Sequence, residues 1–165
     1  MTNQLREDPS PEIRDSHDST EAVAGFCRKV LEQLRLDLEV GAVMQDETVT
    51  VNVSGPDRPI LLATTAALLN SLEYLANKAF RTGTGEEIVS IVLDSEDYRR
   101  HREAELVLLA QMASQKVLAQ RRPLSLQPMT PKERRIIHLA LAGTEGIRSE
   151  SAGEGENRSI TIFPS

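Results

Sequence analysis

Arg134 and His138 are the residues whose types and spacing most suggest chemistry. They lie four residues apart, so on a helix they occupy one face a turn apart. A guanidinium binds phosphate through two parallel N–H donors, and a partly protonated imidazole adds another donor. The pair therefore suggests a helix face that holds an anion. From spacing alone, an ordinary solvated helix surface is the more frequent outcome.

Charge is distributed unevenly along the 165-residue, 18.2 kDa chain, whose length suits one domain or two small ones. The formal net charge is −6, so any nucleic-acid site must be a local patch. Residues 121–165 carry seven Lys/Arg against five Asp/Glu and form the only basic third. Three Phe, two Tyr and no Trp argue against a protein that grips nucleic acid mainly by base stacking.

Cys27 is the single cysteine, which excludes an intramolecular disulfide and fits a reducing cytosol. Its apolar neighbours Phe26 and Leu31 favour a core residue over a nucleophile. No apolar run approaches the roughly 18 residues that span a bilayer, and no signal-peptide core follows the N-terminus. We expect a cytoplasmic protein without stable membrane insertion.

The first 120 residues predict an α+β domain of three strands with helices on one side. Residues 1–18 are polar and acidic and predict a disordered tail. Asp18 to Glu21 resembles a helix start. The expected elements are a helix to about residue 36, strands over 38–44 and 48–53, a helix to about 80, a strand over 87–93 and a long helix over 95–119.

Residues 121–165 predict a second, small α+β module. Leu124 to Leu126 suits a short strand. A helix over 130–142 begins with Thr130 as cap and Pro131 at its first position, and Gly143 ends it. Residues 147–151 and 158–163 can pair as strands.

These segments resemble the Jag-type bacterial RNA-binding proteins, which join a KH domain to a domain named for its Arg-xxx-His motif. The resemblance runs from about residue 20 to the end. The matching segments are Glu133-Arg134-Arg135-Ile136-Ile137-His138, Ser151-Ala152-Gly153 leading to Asn157-Arg158, Asp94-Ser95-Glu96-Asp97-Tyr98-Arg99 and Leu69-Asn70-Ser71-Leu72-Glu73-Tyr74-Leu75. In this match Arg134 and His138 are the motif residues, and the family implies binding of single-stranded nucleic acid, chiefly RNA. Arg158 and Arg148, on the neighbouring strands, could widen the patch.

The first module departs from the family pattern. A KH domain clamps nucleotides with a Gly-x-x-Gly loop, whose glycines let the backbone of the ligand approach. The aligned loop is Ala63-Thr64-Thr65-Ala66, which lacks both glycines and any basic residue. Thr64 or Thr65 could still cap the following helix. This loop predicts a degenerate KH domain that serves a structural or partner-binding role. In the second module, Glu156 replaces the usual proline and Ser159 replaces a basic residue.

No constellation in the sequence points to catalysis. Its three histidines, His17, His101 and His138, have no metal-ligand spacing. Gly153-Glu154-Gly155 lacks the Lys and Ser/Thr of a phosphate-binding loop, and no serine sits in a nucleophile elbow. We therefore expect neither metal nor cofactor, and no enzyme activity.

The sequence predicts a tail over residues 1–18, a KH-like domain over 19–120 and an Arg-xxx-His domain over 121–165. The predicted function is binding of single-stranded RNA or single-stranded DNA, mainly through the second module, as a post-transcriptional regulator. The alternative is an adaptor whose degenerate KH face binds a protein, for example a second KH protein, with nucleic-acid binding secondary.

Overall fold

The computed structural model describes residues 11–46, 48–81 and 90–165. The predicted α+β class is confirmed, and the chain divides into two compact units, residues 1–96 and 97–165. The first unit contains α1 (Pro11–Gln33), β1 (Glu39–Gln45), β2 (Thr48–Ser54), α2 (Arg58–Leu61), α3 (Ala63–Arg81) and β3 (Ser90–Asp94). The second contains α4 (Tyr98–Gln120), β4 (Leu124–Ser125), α5 (Pro131–Leu141), β5 (Ile147–Ala152), a 3-10 turn (Gly155–Asn157) and β6 (Ser159–Pro164).

The sheet of the first unit has the order β1-β2-β3. Its central strand β2 is antiparallel to β1 and parallel to β3. The alternation read from the sequence is present, since Val49, Val51 and Val53 are all fully buried. Helices α1 and α3 bury apolar stripes against this sheet. The core residues of these two helices are Val23, Ala24, Cys27, Leu31, Ala66, Leu69, Leu72 and Ala76.

Several expected boundaries differ from the structure. Residues 11–18, expected to be part of a disordered tail, form the first turns of α1, and the cap signal at Asp18 lies inside that helix. Pro11 suits the first helical position because proline has no N–H to leave unpaired there. The rest of the expected tail, residues 1–10, lies outside the described residues, as do Glu47 of the hairpin turn and residues 82–89, where the third strand was expected to begin.

The second unit packs α4 and α5 on a three-stranded antiparallel sheet of order β4-β6-β5. Its core cluster comprises Leu106, Ala110, Ala113, Val117, Met129, Ile137, Leu141, Ile160 and Ile162. Helix α4 supplies four of these residues, although the sequence predicted it to belong to the first module. Leu106, Ala110, Ala113 and Val117 share one face of α4 at helical spacing, but this spacing alone does not show which module buries that face.

Among the described residues, no helix combines the length and the apolar character needed to cross a bilayer.

Candidate nucleic-acid interface

Helix α5 begins at a reciprocal cap that also joins it to α4. The Thr130 hydroxyl accepts a hydrogen bond from the Glu133 backbone N–H at 3.3 Å, and Glu133 Oε2 accepts from the Thr130 N–H at 2.9 Å. The other carboxylate oxygen of Glu133 accepts from Arg102 Nε at 2.8 Å. Burial lowers the pKa of Arg102, but the hydrogen bond and charge of Glu133 outweigh it, so the pKa is raised. The start of α5 is therefore fixed by a charged, largely buried contact.

Arg134 lies in the first turns of α5 and is half-buried. Its Nη1 donates to the backbone carbonyl of Met129 at 2.8 Å. Within the described part of the chain no carboxylate pairs with it. A carbonyl fixes the guanidinium without cancelling its charge, so the remaining N–H donors stay available to an anion.

His138 lies one turn further along α5 and is also half-buried. Its Nδ1 is 2.8 Å from the Ser149 hydroxyl on β5. A hydroxyl can donate to the neutral ring or accept from the protonated ring. In either state Ser149 engages Nδ1, which leaves Nε2 as the ring nitrogen available to a ligand.

Arg158 precedes β6 and is exposed. Its Nε donates to the Ser151 hydroxyl at 2.9 Å. Ser149 and Ser151 are two residues apart on β5, so their side chains share one face with roughly 7 Å between them. Two neighbouring serines thus hold His138 and Arg158 side by side. We call Arg134, His138 and Arg158 the cationic patch.

Arg148 does not belong to this patch. It alternates with Ser149 along β5, and the opposing residue on β6 is Phe163, which places it on the other face of the sheet. There it pairs with the Glu150 carboxylate, and its guanidinium lies 4.3 Å from the centre of the Phe163 ring. The structure therefore separates Arg148 from the residues it was expected to extend.

The residues that hold the patch were not predicted from the sequence. Ser149, Ser151 and the carbonyl of Met129 carry no charge and match no motif of their own. The alternation Ser-x-Ser in a predicted strand was the available signal, because it places two hydroxyls on one face. Without the packing of β5 against α5, the sequence could not show that this face contacts His138.

The loop aligned with the Gly-x-x-Gly clamp forms a left-handed turn. Thr64, Thr65 and Ala66 have φ values of 51°, 57° and 57° and lie between α2 and the regular part of α3. This backbone conformation favours glycine. Thr65 does not act as a helix cap, since its hydroxyl donates to the Thr64 carbonyl at 2.6 Å. The turn keeps a conformation suited to glycine but carries side chains at each position.

The described residues contain no group of three or more His, Cys, Asp or Glu side chains placed to hold a metal ion. Cys27 is fully buried in the first unit, and burial raises the pKa of its thiol to about 11.

Comparison with known proteins places these features in a family. Residues 104–164 match the model of the R-3-H domain, the Arg-xxx-His domain, and the match begins inside α4. The chain is 34% identical over 140 residues to "RNA-binding protein KhpB" of Clostridium symbiosum. The aligned region covers 83% of this chain and 62% of that protein. This chain belongs to the Jag-type proteins that carry an Arg-xxx-His domain.

Two further relatives have the same name. The Bacillus subtilis (strain 168) protein is 30% identical over 139 residues, covering 83% of this chain and 66% of that protein. The Lactiplantibacillus plantarum protein is 26% identical over 141 residues, covering 86% and 44%. The chain thus spans less than two thirds of the length of the relatives it matches. The family recognition made from the sequence is confirmed.

Proposed function

We propose that this protein is a non-catalytic binder of single-stranded RNA that grips the phosphate backbone with the cationic patch of its second unit. The observation that carries the proposal is the way the patch is held. Arg134 and Arg158 are each fixed by an uncharged group, so their charge is not cancelled within the described residues, and His138 is held by a hydroxyl that leaves Nε2 available. The relatives named RNA-binding proteins support RNA as the ligand. Single-stranded DNA presents the same phosphates and is a second ligand of the patch.

We infer that the protein acts as a post-transcriptional regulator. A patch that contacts phosphates positions a strand but reads little sequence. The aromatic residues that would stack and read bases are few in this chain. We therefore infer that target choice depends on RNA accessibility more than on a strict sequence motif.

Binding of a labelled single-stranded RNA, followed by fluorescence anisotropy, tests the proposal. Three variants that each remove one positive charge are compared: Arg134→Ala and Arg158→Ala in the patch, and Arg148→Ala on the opposite sheet face. Each phosphate contact contributes about −0.7 to the slope of log affinity against log salt. Both patch variants should therefore bind more weakly with a slope shallower by about 0.7, whereas Arg148→Ala should leave the slope unchanged.

The double variant Arg134→Ala/His138→Ala should lose most of the salt-dependent affinity. An unchanged affinity in this variant contradicts the proposal, as does equal weakening by Arg148→Ala. Wild-type protein that binds no RNA at low salt would also refute it.

A second function is favoured by the left-handed turn of the first unit. Side chains at Ala63 and Ala66 occupy the positions where the glycines of a Gly-x-x-Gly loop let a nucleotide backbone approach, and the turn has no basic residue. Ile60, Tyr74 and Leu75 in the adjoining helices are large apolar residues that are about half or more exposed. We propose that this unit binds a protein, with a second KH protein as the first candidate. If salt-dependent RNA binding survives in Arg134→Ala/His138→Ala, the first unit itself binds nucleic acid.

A further inference from the structure

The two edges of the sheet in the first unit are treated differently. At the β3 edge, the Asn77 side chain donates to the Ile91 carbonyl at 2.7 Å and accepts from the Ile91 N–H at 3.2 Å. Glu73 Oε2 accepts from the Leu93 N–H at 2.8 Å. Two side chains of α3 thus take up backbone groups to which a further strand would bind. This edge is closed by α3.

The β1 edge has no such cover. All seven residues of β1 pair with β2 on one side. Among the described residues, no hydrogen bond reaches the backbone groups that point the other way. Proteins usually protect an open edge with Lys, Pro or a bulge, and β1 has none of these. Its only charged residue is Glu39, and Val43 is 58% exposed.

We propose that β1 pairs antiparallel with β1 of a second copy of this chain, about a two-fold axis at Ala42. Val40, Ala42 and Met44 oppose the buried valines of β2 and lie on the inner face of the sheet, while the alternate residues face outward. Directly opposed residues in an antiparallel pair must share a face. The register centred on Ala42 satisfies this condition and uses all seven residues.

The charges of β1 favour this register. It sets Glu39 opposite Gln45 of the second copy, and the apolar Val40 opposite Met44 of the second copy. Parallel pairing would instead bring the two Glu39 side chains together, which is unfavourable. The result is an isologous interface that extends one three-stranded sheet into a six-stranded one across the axis.

The net charge gives the association a distinctive salt dependence. Each copy has a formal charge of −6, so the two copies repel each other at long range. Salt screens this repulsion, and dimerisation should therefore strengthen as salt rises. Binding of nucleic acid should weaken under the same change. The dimer does not depend on the proposed RNA binding, and it is measured without nucleic acid.

Sedimentation equilibrium of the full chain measures the association, with two double variants that test the register. In the proposed pair, position 41 of one copy lies opposite position 43 of the other. Gly41→Lys/Val43→Lys places like charges across the interface, whereas Gly41→Lys/Val43→Glu places opposite charges there. Both positions are exposed, and a Cβ added at Gly41 meets no atom within 4 Å, so the fold tolerates both variants.

The wild-type chain should show a monomer–dimer equilibrium that shifts toward dimer with salt. The like-charged variant should dimerise roughly tenfold or more weakly than the oppositely charged variant. Hydrogen exchange should show alternate β1 amides becoming protected as the concentration rises. A wild-type chain that stays monomeric at millimolar concentration overturns the proposal and leaves a strand of another protein as the occupant. Equal association of the two variants overturns it too.

Discussion

Replacing Glu133 tests how the start of α5 is held in place. Glu133 is the one carboxylate that serves both the cap of α5 and a contact to α4, and its side chain is only 10% exposed. Glu133→Ala removes the acceptor of the Thr130 N–H and the partner of Arg102 in one step. The change should destabilise the second unit.

The expected magnitude follows from the two contacts. Loss of a helix cap costs about 1 kcal/mol. A hydrogen bond to a charged group contributes about 1.5–3 kcal/mol when it is shielded from solvent. Because Arg102 is one third exposed, we expect its hydrogen bond to Glu133 to contribute about 1 kcal/mol. Together these give about 2 kcal/mol, which lowers Tm by roughly 8–16 °C for a unit of this size.

Thermal unfolding of the full chain, followed by circular dichroism, measures the effect. Glu105→Ala is the matched control, because Glu105 pairs with the same Arg102 at 3.3 Å but is 68% exposed. An exposed pair contributes less than about 0.5 kcal/mol, so this variant should unfold within a few degrees of wild type. If Glu133→Ala unfolds at the same temperature as Glu105→Ala, the buried network does not hold α5.

Three further outcomes are expected. Thr64→Gly should stabilise the first unit by about 1 kcal/mol in urea unfolding because it relieves a left-handed β-branched residue. Ala67→Gly, in the adjoining helical turn, should instead destabilise it by about 0.5–1 kcal/mol. If both variants change the free energy of unfolding in the same direction, the left-handed turn is not strained. The raised pKa of Cys27 keeps its thiol neutral at pH 8, with about one thiolate in a thousand. Ellman's reagent should therefore label Cys27 only after unfolding, and rapid labelling of the native chain would contradict the burial. Ser149→Ala should weaken RNA binding about fivefold and change the tautomer balance of His138 seen in ¹⁵N NMR spectra; an unchanged spectrum would exclude a positioning role for Ser149.

Much of the local structure could be predicted because it depends on neighbouring residues. The valine alternation of β2 and the cap at Thr130 with Pro131 each determine their own element, and both are present. The roles of Arg134 and His138 in binding stay predictions. Their shared helix face needed only a spacing of four residues.

What could not be predicted depends on long-range register and packing. Arg148 and Ser149 are adjacent in sequence, yet strand alternation sends them to opposite faces, and only the pairing with β6 shows which face meets α5. The elements that bury α4 are likewise determined by contacts between residues far apart in the sequence. The left-handed turn at Thr64 gave no sequence signal because glycine, the residue that usually marks such a turn, is absent.

The contacts of four arginines in the second unit support the proposal that an acidic chain binds an anion. Arg102 and Arg148 are paired with carboxylates, so much of their charge is cancelled within the protein. Arg134 and Arg158 are held by a carbonyl and a hydroxyl, which fix their geometry without cancelling charge. At physiological salt, charges more than about 8 Å away are largely screened. In the proposed complex a phosphate would therefore respond mainly to the patch beside it, and the net charge of −6 would oppose binding much less than at low salt.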